Sequence, residues 1–354
     1  MAHTRTNMRE VADLAGVAMS SVSRVLSGHP DVSVAMRNRV MAAVDALGYQ
    51  PDLLAQSLRR KETRSVGFVV GDISNPLQAQ IALGAETTLR DAGYSMLLTN
   101  SENDPALDTR HIRLFQQRRV DGLLLSLAAE DDPQTLALLA AINTPTVLMD
   151  RELHNGAARR ANAILSDHRS GMRDAVGHLL DLGHRRIGLI LGQPMRFSRE
   201  RLEGLKSAYA ERSLPPTYAV VEGQLEPRHG RAATQTLLDA AEPATALVAG
   251  GNQLLNGALA ELQQRGLRVG ADISLVSCDE ISVTELYQPP IAVVRRDTRE
   301  LGRRAAELLL SEFAAQEEDP ETGQRTSPDV EPSVVLLPTE FVARPSCAPP
   351  PAGA

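Results

Sequence analysis

Tryptophan is missing from this chain, and aromatic residues of all kinds make up only 3% of its 354 residues. Its cores must therefore be built from Leu, Val, Ile and Ala, and few rings are available to stack on a flat ligand face. Cysteine is nearly missing too: Cys278 and Cys347 are the only two, far apart and outside any metal-ligand spacing. That excludes a disulfide framework and fits a reducing compartment. No apolar run approaches the roughly 20 residues of a membrane-spanning helix. The opening residues, MAHTRTNMREVADLAG, lack the apolar core of a secretory signal. A cytoplasmic chain with no membrane association is expected. Phosphate-cradling and nucleophile motifs are missing as well: there is no G-x-x-x-x-G-K-[ST], no G-x-S-x-G, and no G-x-G-x-x-G after a strand. The expectation is a protein that is not an enzyme and takes no cofactor and no metal.

What is present divides unevenly. The length suits two or three domains. The net charge of −7 is not spread along the chain. Residues 1–64 carry nine Arg or Lys against six acids, a balance of +3 that leaves −10 for the rest. A small basic head on an acidic body is the pattern of a phosphate-binding module joined to another kind of domain.

From Val66 onward, short β-branched and leucine-rich runs alternate with helical spacing. The runs are VGFVV (66–70), SMLLT (95–99), GLLLS (122–126), TVLM (146–149), AILS (163–166), IGLILG (187–192), YAVVEG (218–223), ALVAG (246–250), SLVSCD (274–279) and IAVVRRD (291–297). Helical patterns occupy segments such as 78–92, 170–182, 200–212, 230–241 and 254–265. Strands that alternate with helices predict parallel sheets covered on both faces. Ten strands exceed a usual open sheet, so the body is expected to be α/β, two doubly wound lobes of about six strands each. Ligands of such lobes bind outside the carboxyl ends of the strands, here at loops such as GDISNP, LMDR and SCDE. Acidic residues 315–333 read as a loop, VVLLPTEFV (334–342) as one last strand, and residues 343–354 as a frayed tail.

The head turns on EVADLAGVAMSSVSRVL (10–26). Helices over Met8–Ala15 and Met19–Leu26 put Val11, Leu14 and Ala15 on one inner face and Val22 and Val25 on the facing one. Ala12 then sits at the close approach, and Gly16 supplies the left-handed residue at the corner. This is the constraint of an all-α helix-turn-helix. The second helix exposes Met19, Ser20, Ser23 and Arg24; Arg suits guanine and Met a thymine methyl. A helical hairpin with no nucleic-acid role has the same spacing. Residues 32–49 supply a third helix with Ser33 and Gly48 as its caps, enough to close a small core.

With these segments in order, the chain resembles the LacI/GalR family of bacterial transcription regulators from about Asn7 to Ser346. The resemblance is carried by VADLAGVAMSSVSRVLSG, GDISNP, VDGLLLS, VLMDR, LLDLGHRRIGLILG, RLEGL, GLRVGADISLVSCDE and PPIAVVRRD…LGRRAAELLL. It implies a DNA-binding domain over 1–51, a hinge over 52–63 and a periplasmic-binding-protein-like effector-binding and dimerisation body over 64–342. It also implies a homodimer on a near-palindromic double-stranded operator, switched by a small-molecule effector between the lobes. Met19, Ser20 and Arg24 fall on base-reading positions, and Ser21, Ser23, Ser33 and Arg37 on phosphate-contacting ones. Ala55, Gln56 and Leu58 lie on the hinge helix, with Leu58 as the minor-groove wedge. Three residues depart from the family pattern. Ala18 stands where a capping serine is usual, at a cost of about 1 kcal/mol. Asp52 and Gln56 make the hinge less basic, which predicts weaker and more salt-sensitive docking.

For the effector, the resemblance points to Asp72, Asn75, Ser126, Asp150, Arg201, Asn252, Asp279 and Arg296. Each acid also reads as a loop cap. Arg201 stands three residues before Gly204, and Asp279 lies in the SCDE turn. Gly251-Asn252 replaces the usual Asn-Asp pair, and Arg296 stands where a neutral residue is common. Two arginines in one cleft suit a carboxylate or phosphate, so an anionic effector such as a sugar acid or sugar phosphate is expected. Phe197 and Tyr287 are the nearest aromatics. His178, Asp181 and His184 have metal-like spacing, but Gly183 interrupts their helix, and a structural role is expected. A cytoplasmic solute-binding protein is the alternative; the basic head weighs against it.

Overall fold

A computed structural model describes residues 6–26, 29, 31–49, 62–153, 161–318, 325–326 and 332–351. The chain divides into two units, Met1–Thr63 and Arg64–Ala354.

The first unit is helical: α1 (Met8–Ala15), α2 (Met19–Leu26) and α3 (Val34–Leu47). Asn7 starts α1 with a reciprocal cap. Its Oδ1 accepts from the Arg9 and Glu10 amides, and Glu10 Oε2 accepts from the Asn7 amide. Gly16, at φ +62°, ends α1, and the Val17 amide closes the corner on the Ala12 carbonyl at 3.1 Å. Ser33 and Gly48 cap α3 as expected. Val11, Ala12, Ala15, Val22, Val25, Val40, Ala43 and Tyr49 form the core. Leu14 is a correction: it is 57% exposed. The buried stripe of α1 is centred between Val11 and Ala12, and at 100° per residue Leu14 falls off its edge.

The second unit holds two lobes. Lobe 1 opens with β1 (Ser65–Val70), α4 (Pro76–Asp91), β2 (Ser95–Asn100), α5 (Pro105–Gln117), β3 (Gly122–Leu125), α6 (Pro133–Ala141), β4 (Thr146–Met149) and β5 (Ala161–Ser166). Lobe 2 follows with α7 (His168–Asp181), β6 (Ile187–Leu191), α8 (Arg196–Glu211), β7 (Ala219–Glu222), α9 (Pro227–Leu238), β8 (Ala246–Ala249), α10 (Asn252–Gln264), β9 (Ser274–Cys278), α11 (Ser282–Leu286) and β10 (Ala292–Arg295). The chain then returns to lobe 1 with α12 (Thr298–Ala315). A two-residue antiparallel pair, β11 (Glu317–Glu318) and β12 (Arg325–Thr326), lies within the segment expected to be plain loop.

The expected single strand over 334–342 is two. β13 (Val334–Leu337) joins the sheet of lobe 1 and β14 (Glu340–Val342) that of lobe 2. Pro338 lacks the amide a continuous ladder needs, and the chain crosses between lobes there. The sheets run β13-β5-β4-β3-β1-β2 and β14-β10-β9-β8-β6-β7. Each has six strands, all parallel except β14. Their inner strands are buried on both faces, which is why they read as unbroken apolar runs, while the edge strands β2, β7, β13 and β14 are partly exposed.

Local chemistry sets the helix starts in lobe 1. Asn75, Asp104 and Asp132 each cap a helix whose first residue is proline. Helix pairs meet through glycine: a methyl on Gly84 of α4 would strike the Arg299 carbonyl, and one on Gly302 of α12 the Ile81 carbonyl. The tail is also a correction. Ser346 is fully buried, with its Oγ donating to the Leu275 carbonyl and accepting from the Ala292 amide, both at 2.7 Å. The Ala348 amide donates to Ser274 Oγ, so the described tail is stitched along β9 and β10.

Candidate functional site

In the helical unit, α2 presents Met19, Ser20 and Arg24 to solvent, with Ser21 and Ser23 half-buried beside them. Val22 and Val25 anchor the opposite side of this helix in the core. Ser33 is exposed at the start of α3, and Arg37, half-buried, donates to the His29 carbonyl at 3.4 Å. The Ala18 carbonyl accepts from the Ser21 and Val22 amides, while its methyl offers no cap. The hinge residues Asp52, Ala55, Gln56 and Leu58 lie outside the described residues.

The second site stands at the carboxyl ends of the strands. Asp150 follows β4 and Asp279 follows β9, which hold the same place in the two sheets. Both have left-handed backbones, φ +51° and +81°. Each amide extends the ladder by one bond, to the Ile164 carbonyl at 2.9 Å and the Val294 carbonyl at 2.8 Å. The chain then bends sharply, turning each carboxylate out of its strand. A non-glycine residue in this conformation carries strain of about 1–3 kcal/mol, and such strain clusters at functional sites.

The two carboxylates meet one guanidinium. Arg296, in the crossing between β10 and α12, donates from Nε to Asp279 Oδ1 at 2.7 Å and pairs through NH1 with Asp150 Oδ2. Asp150 also accepts from the Ser166 amide at 2.6 Å and the Ser166 hydroxyl at 3.1 Å. Arg201 of α8 lies 3.8 Å from Asp279 Oδ2 and donates to the Gly250 carbonyl at 2.9 Å. Burial opposes charge on Asp150 and Asp279, yet Arg296, with His168 at the first and Arg201 at the second, holds both below the ordinary carboxylate range. Burial would lower Arg296, and Asp279 and Asp150 outweigh it and raise it. His168 goes the other way: burial and then the Arg201 charge bring it down to about 4, so its ring is neutral near pH 7. Its Nδ1 lies 3.4 Å from Arg201 NH2, and its Nε2, 3.7 Å from Asp150 Oδ1, has no hydrogen-bond partner among the described residues.

Other groups tie one lobe to the other. Asn252 Nδ2 donates to Asn75 Oδ1 at 2.9 Å, and Gln253 Nε2 to Asp72 Oδ2 at 2.7 Å. Met195, which precedes α8, gives that helix no side-chain cap. Glu130, from the loop after β3, replaces one: its Oε2 accepts from the Arg196 amide at 2.9 Å and lies 3.0 Å from Arg199 NH1. Phe197 on this first turn has a guanidinium near its ring at 5.5 Å from Arg151 and 5.3 Å from Arg201.

Comparison with known proteins decides the family. Residues 7–52 match the description "Bacterial regulatory proteins, lacI family", and residues 176–347 match "Periplasmic binding protein-like domain". The chain is 32% identical over 335 residues to the HTH-type transcriptional repressor PurR of Haemophilus influenzae (strain PittEE), covering 93% of this chain and 97% of that protein. This chain belongs to the lacI family. Among solved structures it is similar to the lac repressor dimer bound to operator and the anti-inducer ONPF. The TM-score there is 0.81 at 27% identity, over 98% of this chain and 100% of that one. It is also similar to a CelR–cellobiose complex, with a TM-score of 0.69 at 30% identity, over 97% of this chain and 100% of that one.

Of the effector residues expected from the lacI-family resemblance, Asp150, Arg201, Asp279 and Arg296 converge. Asn75 and Asn252 meet across the lobes, with Asp72 at the half-exposed edge. Ser126 stays within lobe 1, its hydroxyl accepting from Gln78 at 3.3 Å. The two arginines are not spare charges, because each faces a carboxylate. Phe197 belongs to the site, whereas Tyr287 packs against the core of lobe 2. His168, Glu130, Arg151 and Arg196 were missed. Only position signals them, since each flanks a strand end or opens a helix. His178, Asp181 and His184 point apart, to the Phe341 ring, to Arg212, and to Thr245, Ser274 and the Ala348 carbonyl.

Proposed function

We infer that this lacI-family chain is a transcription repressor that binds double-stranded operator DNA as a homodimer, under the control of a small effector held between its lobes. The observation that carries this is the outward side of α2, where Met19, Ser20 and Arg24 share the exposed face of the second helix of a helix-turn-helix. Ser21, Ser23, Ser33 and Arg37 flank it as phosphate contacts, and Ala55, Gln56 and Leu58 dock in the minor groove. The relatives named PurR and the lac repressor structure, whose operator-bound form is a dimer, support the reading. The protein acts in the cytoplasm and is not an enzyme. For the effector, two arginines alternating with two aspartates form an array of donors and acceptors suited to a polyhydroxylated molecule. An anionic one, such as a sugar acid or sugar phosphate, is the finer proposal, with Asp72, Asn75, Ser126, Asp150, Arg201, Asn252, Asp279 and Arg296 around it.

A gel-shift series on operators selected from a random near-palindromic pool tests the main reading. Arg24→Ala is expected to cost about 1–3 kcal/mol on the selected site and to relax preference at one base pair. Ser33→Ala or Arg37→Ala should weaken all sequences alike, with Arg37→Ala lowering the salt slope by about 1. Selection that yields no sequence preference would sink the proposal.

A further inference from the structure

Glu130, in the loop after β3 of lobe 1, is only 4% exposed, and its two carboxylate oxygens serve different lobes. Oε1 accepts from the Glu152 amide of lobe 1 at 3.0 Å, and Oε2 from the Arg196 amide of lobe 2 at 2.9 Å. Arg199 NH1 lies 3.0 Å from the same Oε2. Met195 supplies no cap, so the negative charge that a helix N-terminus favours comes to α8 from the other lobe. The rest of this first turn faces lobe 1 as well. Arg196 NH1 donates to the carbonyl of Ser166, the end of β5, at 3.0 Å. The Phe197 ring lies 5.5 Å from the guanidinium of Arg151, whose own hydrogen bonds go to the Leu127 and Asp150 carbonyls of lobe 1.

These bonds exist only while the lobes are together. Separation takes the acceptor from the Arg196 amide, parts Arg199 from Glu130 and withdraws Arg151 from Phe197. It also lets water reach a carboxylate that is tolerated in burial because N–H groups surround it. The turn concerned carries Phe197, and Arg201 follows one turn later, beside Asp279 and the Gly250 carbonyl. We propose that Glu130 is a positioning residue of the cleft, a cap lent across the lobes that completes α8 only on closure and thereby fixes Phe197 and Arg201 in place. The latch stands on geometry alone; its bearing on a ligand rests on the cleft being the effector site.

Hydrogen exchange of the full chain without ligand, read by mass spectrometry, tests it. Glu130→Gln keeps the side chain's size but has one oxygen where the carboxylate has two, so its NH2 must face an N–H of one lobe or the other. Exchange over residues 196–201, the start of α8, is expected to rise about tenfold, the scale of a hydrogen bond to a charged group. The decisive reading is at residues 252–255, the start of α10, where Asn252 and Gln253 bond to Asn75 and Asp72 of lobe 1 and not to Glu130. Looser closure should raise exchange there too, while β3 and β8 keep native rates. Arg199→Gln, at an exposed side chain, weakens the same latch from lobe 2 and should give the same pattern to a smaller degree. A rise confined to α8 in both variants would make Glu130 a local cap and overturn the proposal. Native rates at α8, or a rise that includes β3 and β8, would overturn it as well. Because no ligand enters, each of these failures falls on Glu130 and leaves the effector reading intact.

Discussion

His168 shows what one buried titration does to the protein. Its ring stays neutral down to about pH 4, through burial and the nearby Arg201 charge. An unfolded histidine takes its proton near pH 6.5. Between those values the unfolded chain binds a proton that the folded chain refuses. Stability therefore falls as pH drops through this window, by about 3 kcal/mol for this group alone. Asp150 and Asp279, depressed by their arginines, add a further loss below the ordinary carboxylate range. Glu312 works in the opposite sense. Partial burial beside Asn162 pushes it up to about 7 from 4.5. It stabilises the fold below pH 4.5, and that contribution is lost as pH rises through 7. Urea unfolding at pH 7 and pH 5 should show His168→Gln flattening the acid loss and Glu312→Gln steepening it. An identical profile for His168→Gln would show that this ring is not held neutral.

At the scale of elements, close helix pairs carry much of the architecture. Gly302 faces backbone, which cannot rotate away as a side chain does. Gly302→Ala gains up to about 1 kcal/mol of helix propensity but forces α12 off α4, an overpacking cost of about 1–3 kcal/mol. The clash wins on magnitude, and calorimetry should record a lower Tm; an unchanged or higher Tm would show the helices free to separate. The same scale explains what could be read beforehand. The inner strands of both lobes are apolar runs of four to six residues, a pattern set by burial on both faces, and each of β1 to β10 was visible. The caps at Ser33 and Gly48 were visible because they depend on immediate neighbours. Pro338 was not read as a crossing, since apolar residues on either side look like one strand whichever sheet each half joins. The aspartates and arginines of the cleft were individually suspect from their motifs. Their mutual pairing was not, because nothing local links Arg296 to Asp150.

Across the whole molecule, the tail illustrates how composition misleads. Proline, alanine and glycine suggest fraying, yet Ser346 and Ala348 bond to β9 and its surroundings through backbone and one hydroxyl. Ser346→Ala leaves the Ala292 amide and the Leu275 carbonyl each short of a buried partner, a penalty of about 1–3 kcal/mol for such a group. Thermal unfolding should drop accordingly, and truncation after Val342 should drop it further. A truncated chain as stable as the native one would show the tail bonds to be dispensable.

The three crossings also set a timetable. Lobe 1 comes first in the sequence, but its covering helix α12 and edge strand β13 lie beyond residue 297. Lobe 2 has its helices and five of its six strands in one stretch, from His168 to Arg295. On a ribosome, where domains ordinarily fold in order of synthesis, the lobe begun first stays unfinished until most of lobe 2 has been made. Until then, the apolar face of its half-built sheet must wait for α12, which is made after nearly all of lobe 2.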